Sequence, residues 1–237
     1  MRTTAAFLFA AAAIAPLHAQ QPDAAAMVRS IRLSATLQQI DLTGSVSKEG
    51  GAKLGLNLFI RENNMQFQLG QAERFHIRMG DEKAELLNVI DDKGTTRAFP
   101  ASKLSQSIGG TDVSYEDLTL RFLYWPNAKL EGEEVINGEA CYKIRLDNPG
   151  KDGAYGVVYV WVHKKYGAFW QIRAHSRDKT GTLLKEFQVK EVMKLPNGKG
   201  WAIQEMRVNG MKGGRVNSVT YLRFDKPVAA APKGRGR

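Results

Sequence analysis

The side chains best placed for chemistry are three carboxylates in one short string, Gly110-Thr111-Asp112-Val113-Ser114-Tyr115-Glu116-Asp117-Leu118. With a helix starting at Ser114, Asp112 and Glu116 could face each other as general acid and base. The same residues also make a helix start. Ser114 and Asp117 have the capping-box spacing, and Asp117 lies near the positive end of the helix dipole. Capping asks less of the string, so it is the preferred reading.

Other chemistry is sparse. The chain has four histidines and one cysteine. If 157–163 and 168–175 form a hairpin, His163 lies near its turn and His175 near its open end, about 20 Å apart by strand rise and too far to share a metal. Cys141 shares a strand face with Lys143 and Arg145, which could lower a thiol pKa, yet no histidine is placed to serve it as a base. No Gly-x-Ser-x-Gly elbow, phosphate-binding loop or dinucleotide fingerprint is present. The expectation is a protein without catalytic residues, metal or cofactor.

The elements around these residues follow from composition and period. A chain of 237 residues, 43% apolar, can bury one sizeable core, and a single cysteine closes no internal disulfide. Met1 to Ala19 has the parts of a secretory signal: Arg2, the apolar run Ala5 to Ala15, then Pro16-Leu17-His18-Ala19. That run is too short to span a bilayer, so the expected product is soluble and periplasmic, cleaved near Ala19. The net charge of +10 favours anionic partners, and a periplasmic address speaks against nucleic acid. One domain is expected over 20–227, followed by a basic disordered tail over 228–237 that ends Lys233-Gly234-Arg235-Gly236-Arg237.

From Thr36 onward the apolar period is two. Leu54, Leu56, Leu58 and Ile60 alternate with polar or small residues, as do Met65, Phe67 and Leu69, and Phe75, Ile77 and Met79. Tyr142, Ile144 and Leu146 repeat the pattern, then Trp170, Ile172 and Ala174, and later Phe187, Trp201 and Tyr221 mark further strands. Val157 to Val162 is apolar on both faces and reads as a central strand. This gives a mainly β (α+β) fold of about ten or eleven antiparallel strands. Short helices are expected around Met27 to Leu33, at Pro100 to Ser107, and from Ser114 to Trp125. A single curved sheet with so few helices has a concave face that could hold an apolar ligand.

The Gly110 to Leu118 string resembles the outer-membrane lipoprotein-sorting protein family, the LolA-like periplasmic carriers. Gly138-Glu139-Ala140-Cys141-Tyr142, Tyr155 with Val157 to Val162, and Gly181-Thr182-Leu183-Leu184-Lys185 resemble it too, so the likeness spans roughly Met27 to Pro227. The resemblance implies an open antiparallel half-barrel whose helices plug an apolar cavity. It implies binding of acyl chains of lipoproteins or lipids, passed without covalent chemistry from an inner-membrane export complex toward an outer-membrane acceptor. On this reading Leu56, Leu58, Phe67, Phe75, Ile77, Tyr142, Ile144, Trp170 and Ile172 line the cavity of a monomer, and Leu118, Phe122 and Trp125 form its lid. The family motif is Gly110, Thr111, Asp112, Ser114, Tyr115, Glu116 and Asp117, either a structural corner or part of the binding site. Arg61 and Arg78 are the candidates by strand position for the arginine that holds such lids closed. The alternative is a lipid-responsive sensor that binds a membrane protein.

Overall fold

The computed structural model describes residues 22–36, 39–71, 73–150, 152–195 and 200–226. The expected signal segment and basic tail lie outside the described residues. The chain opens with helix α1 (Ala24–Thr36), whose Val28 and Ile31 are buried one turn apart on a single face. A first meander follows: β1 (Ile40–Lys48), β2 (Leu54–Arg61), β3 (Asn64–Leu69), β4 (Glu73–Met79), β5 (Ala84–Val89) and β6 (Thr96–Ala98). Residues 99–128 then cross over, carrying a 3-10 turn at Ala101–Lys103, helix α2 (Tyr115–Thr119) and a second 3-10 turn at Arg121–Tyr124. The second meander is β7 (Lys129–Ile136), β8 (Glu139–Asp147), β9 (Tyr155–His163), β10 (Phe169–Ser176), β11 (Leu183–Lys194), β12 (Trp201–Lys212) and β13 (Arg215–Phe224).

Among the described residues 13 strands form one open antiparallel sheet, ordered β6-β5-β4-β3-β2-β1-β13-β12-β11-β10-β9-β8-β7. Every neighbour is also a neighbour in sequence except β1 and β13, which join the two meanders. Tight turns set the register. Asn137 and Gly138, between β7 and β8, both have positive φ, as a two-residue type I′ turn requires.

The strands exceed the ten or eleven expected because β5, β6 and β7 carry weak alternation. β6 is exposed throughout, and β7 is a polar edge strand with three glutamates and a glycine. The expected helix from Ser114 to Trp125 is also corrected, because it breaks at Leu120, which adopts φ 46° and ψ 37°. The Thr119 hydroxyl donates to the Glu116 carbonyl at 2.7 Å, and the Leu120 amide donates to the Asp117 carbonyl, so the last turn tightens and ends.

One face of the sheet is apolar and is covered by α1 and by the crossover, which we term the lid. Leu104, Ile108, Val113, Phe122 and Leu123 of the lid are buried in the same cluster as Leu58, Phe75, Ile144 and Ile172 of the sheet. The connection between the two meanders is therefore also the plug of the half-barrel. No helix among the described residues is long and apolar enough to cross a membrane.

Candidate functional site: the lid and its polar latch

The alternation places Leu56, Leu58, Phe67, Phe75, Ile77, Tyr142, Ile144 and Ile172 on the covered face. Leu58, Phe67 and Phe75 stand in one cross-strand row, and Ile144, Val160 and Ile172 in another. Phe122 of the lid is 1% exposed within this cluster, while Leu118 and Trp125 pack against it partly buried. Trp170 is a correction. A β-bulge between Phe169 and Gln171 turns it to the opposite, outer face, where it meets the His163 ring edge-on at 5.3 Å.

At one end, the end where β13 begins, the covered face turns polar. Lys48, Lys185, Ser218 and Thr220 occupy positions of the inward period there, and the Gly110 to Leu118 string docks on them. The Asp112 carboxylate accepts hydrogen bonds from the Ser218 hydroxyl at 2.5 Å and the Thr220 hydroxyl at 2.8 Å, and the Asp112 amide donates to Thr220 Oγ1 at 2.9 Å. Gly210 makes room for this seat, since a Cβ there would fall 2.5 Å from Asp112 Oδ1. Asp117 is buried and accepts from the Ser114 amide at 2.7 Å, the Ser114 hydroxyl at 2.8 Å, Lys185 Nζ at 2.6 Å and the Tyr155 hydroxyl at 2.6 Å. Burial, and then the Asp117 charge, hold the Tyr155 pKa well above its ordinary value, so the phenol stays a donor. Tyr115 packs its ring on Phe75 and Phe99.

The carboxylates of the string thus bond to different strands. Asp112 binds β13, Asp117 binds β9 and β11, and Glu116 accepts from the Ala154 amide at 2.9 Å in the loop before β9. Burial raises the Glu116 pKa above its ordinary 4.5, against the lowering effect of that amide. The folded protein holds this proton more tightly than the unfolded chain. The residue therefore contributes stability in full below about pH 4.5, and the contribution is lost as pH rises through the folded pKa. Glu116→Gln keeps an acceptor for Ala154 and flattens that decline in urea unfolding followed from pH 4 upward. Parallel profiles for the two proteins would count against this account.

Neither Arg61 nor Arg78 reaches the lid. Arg61 pairs with Asp41, and Arg78 with Glu85. Among the described residues a guanidinium that touches the lid is that of Arg32 of α1, 4.6 Å from the Tyr124 ring centroid and donating to the Asp81 carbonyl at 3.1 Å. Cys141 is buried, and burial raises its pKa, so Lys143 and Arg145 do not activate it. Among the described residues no group of His, Cys, Asp and Glu has the geometry of a metal site. A groove of about 530 Å³ lined by Phe59, Gln66, Gln68, Gln71, Arg74 and Asp92 lies on the outer, polar face.

The partners of the latch were missed by sequence reasoning, although a signal existed. Lys185 interrupts the apolar period it shares with Phe187 and Val189, and a lone cation on a buried face requires a carboxylate.

An open antiparallel sheet curled around an apolar plug, with that plug pinned at one end, is a half-barrel fold. A protein-family model described as "Uncharacterized protein" matches residues 79–230. The chain belongs to the family of that model and carries the LolA-like fold of the outer-membrane lipoprotein-sorting proteins. A DUF1329 family protein from Desulfovibrio piger is similar at TM-score 0.64 and 17% identity, over 86% of this chain and 92% of that one. A protein from Vibrio parahaemolyticus, described as an outer membrane lipoprotein-sorting protein domain, gives 0.64 and 15%, over 84% and 89%. A LolA superfamily protein from Nitrosomonas europaea gives 0.59 and 16%, over 86% and 91%. No curated protein matches the chain.

Proposed function

We propose that the chain is a soluble, monomeric periplasmic carrier. It binds the acyl chains of lipoproteins or lipids and moves them from an inner-membrane donor toward the outer membrane, with no covalent chemistry. The observation that carries this reading is the division of the lid. Its first part, through Asp117, is fastened by buried polar bonds, whereas Leu118 to Trp125 is held mainly by apolar packing on the sheet. Apolar packing can be exchanged for an acyl chain at little net cost, since each Å² is worth about 25 cal/mol whichever group covers it. Buried charge pairs cannot be exchanged in that way. An entering chain therefore displaces the segment after Leu120 and lies on Leu56, Leu58, Phe67, Phe75, Ile77, Tyr142, Ile144 and Ile172, while the Asp112 to Asp117 latch stays seated.

Purified protein is expected to take up a fluorescent fatty acid saturably. Tyr142→Asp sets a charge on the half-buried wall that the chain would lie on and weakens uptake roughly tenfold, about the effect of 1.4 kcal/mol, with the circular dichroism unchanged. A wild type that takes up no probe, or a variant that binds it as wild type does, would sink the proposal.

A further inference from the structure

Three large exposed apolar side chains of β9–β12 lie at the end of the sheet opposite the latch, where β1 begins. Tyr166 is in the β9–β10 turn, and Val192 and Trp201 are on the facing ends of β11 and β12. They are 56%, 41% and 56% exposed. On the β11–β12 hairpin Val192 pairs with Ile203 and Lys194 with Trp201, which puts all four on the outer face, while Met193 and Leu195 turn inward to the core. Exposed lysines stand among them: Lys164 and Lys165 beside Tyr166, Lys190 and Lys194 beside Val192 and Trp201. Glu133 pairs with Lys164, and Glu139 is hydrogen-bonded to His163 at 3.0 Å, so Lys165, Lys190 and Lys194 outnumber Glu139 and Glu191 by one. Along the same end the β2–β3 and β4–β5 turns carry Glu62, Asp81 and Glu82 beside Arg61 and Lys83, so the exposed aromatic residues with surplus lysines are those of β9–β12.

An indole and a phenol flanked by ammonium groups match the headgroup layer of an anionic membrane. The rings suit its apolar-to-polar gradient, and the lysines face its phosphates. We infer that the β9–β12 rim docks the protein onto an anionic lipid surface, with Trp201, Val192 and Tyr166 entering the headgroup layer. The inference rests on the carrier reading for its purpose, and it supplies that reading with a donor and acceptor surface. It also brings to the membrane the end of the sheet at which Arg32 ties the lid residue Tyr124 to the β4–β5 turn.

The test is co-sedimentation of the full chain with vesicles of phosphatidylcholine alone or mixed with phosphatidylglycerol. The wild type is expected to partition onto the mixed vesicles only, with a blue shift of its tryptophan emission and loss of binding in high salt. Replacing both Lys190 and Lys194 by Gln lowers partition roughly fivefold per lysine, and Trp201→Asp lowers it further. Both variants change exposed residues, and their thermal melts report that they fold. Absence of partition overturns the inference, whether the protein stays monomeric or forms a concentration-dependent dimer through this rim. So does partition that both variants retain. Uptake of the fluorescent fatty acid is read in parallel. If it fails in the wild type while vesicle binding responds as described, the carrier reading falls and the docking surface stands.

Discussion

Asp117→Ala lowers the unfolding free energy by about 3–5 kcal/mol, the cost of breaking a buried ion pair from one side. The side chain is 3% exposed and its Lys185 partner 18%, so the ammonium loses its counter-charge with little water to replace it. The Tyr155 hydroxyl and the Ser114 amide lose their acceptor in the same step. For a domain of this size such a loss moves the thermal midpoint by about 10 °C, measurable by calorimetry. Lys185→Met is milder, because an apolar chain of similar length fills the space and Asp117 keeps its three other donors. A melt of Asp117→Ala within a degree or two of wild type would show that the latch is not a main fastening of the lid.

Phe122→Ala has an effect of similar size on stability, about 3–5 kcal/mol, because a ring at 1% exposure leaves a cavity that its neighbours fill only in part. Its effect on binding has the opposite sign. The closed lid competes with the ligand for the same apolar face, so weakening the competitor favours the ligand. If roughly 2 kcal/mol of the loss falls on the closed arrangement alone, affinity for the fluorescent fatty acid rises about thirtyfold. Titration of the probe into folded variant decides the matter. Affinity that falls together with stability would mean that Phe122 belongs to the ligand's wall and not to its competitor.

The covered face of the sheet was legible wherever alternation was strong. Leu54, Leu56, Leu58 and Ile60, Phe67 and Phe75, and Ile144 and Leu146 stand on it because a strand with one buried face must alternate. The polar edges were not legible, since β6 and β7 bury too little to leave a pattern. Trp170 was misplaced by one inserted residue, which no periodicity reports before pairing is known. The capping box at Ser114 was readable from spacing, but the length of its helix was not. Leu120 takes a left-handed conformation that its side chain disfavours, and the packing on either side of it compensates. Ser218, Thr220, Tyr155 and Lys185 come from strands far along the chain, and the pairing that gathers them at Asp112 and Asp117 is a property of the folded sheet.

The pairing of β1 with β13 bears on how the molecule assembles. Every other strand contact is between sequence neighbours and can form as a hairpin at small loop-closure cost, whereas Gly44 meets Phe224 across most of the chain. Two locally folding wings thus come first, and their seam is the slow, non-local event. Gly44 lies on that seam, where an added methyl group would run into the backbone carbonyl of Arg223. Because Asp112 bonds to Ser218 and Thr220 of β13, the plug gains its anchor only after that strand has arrived. Closure of the half-barrel's interior is thereby coupled to completion of its wall.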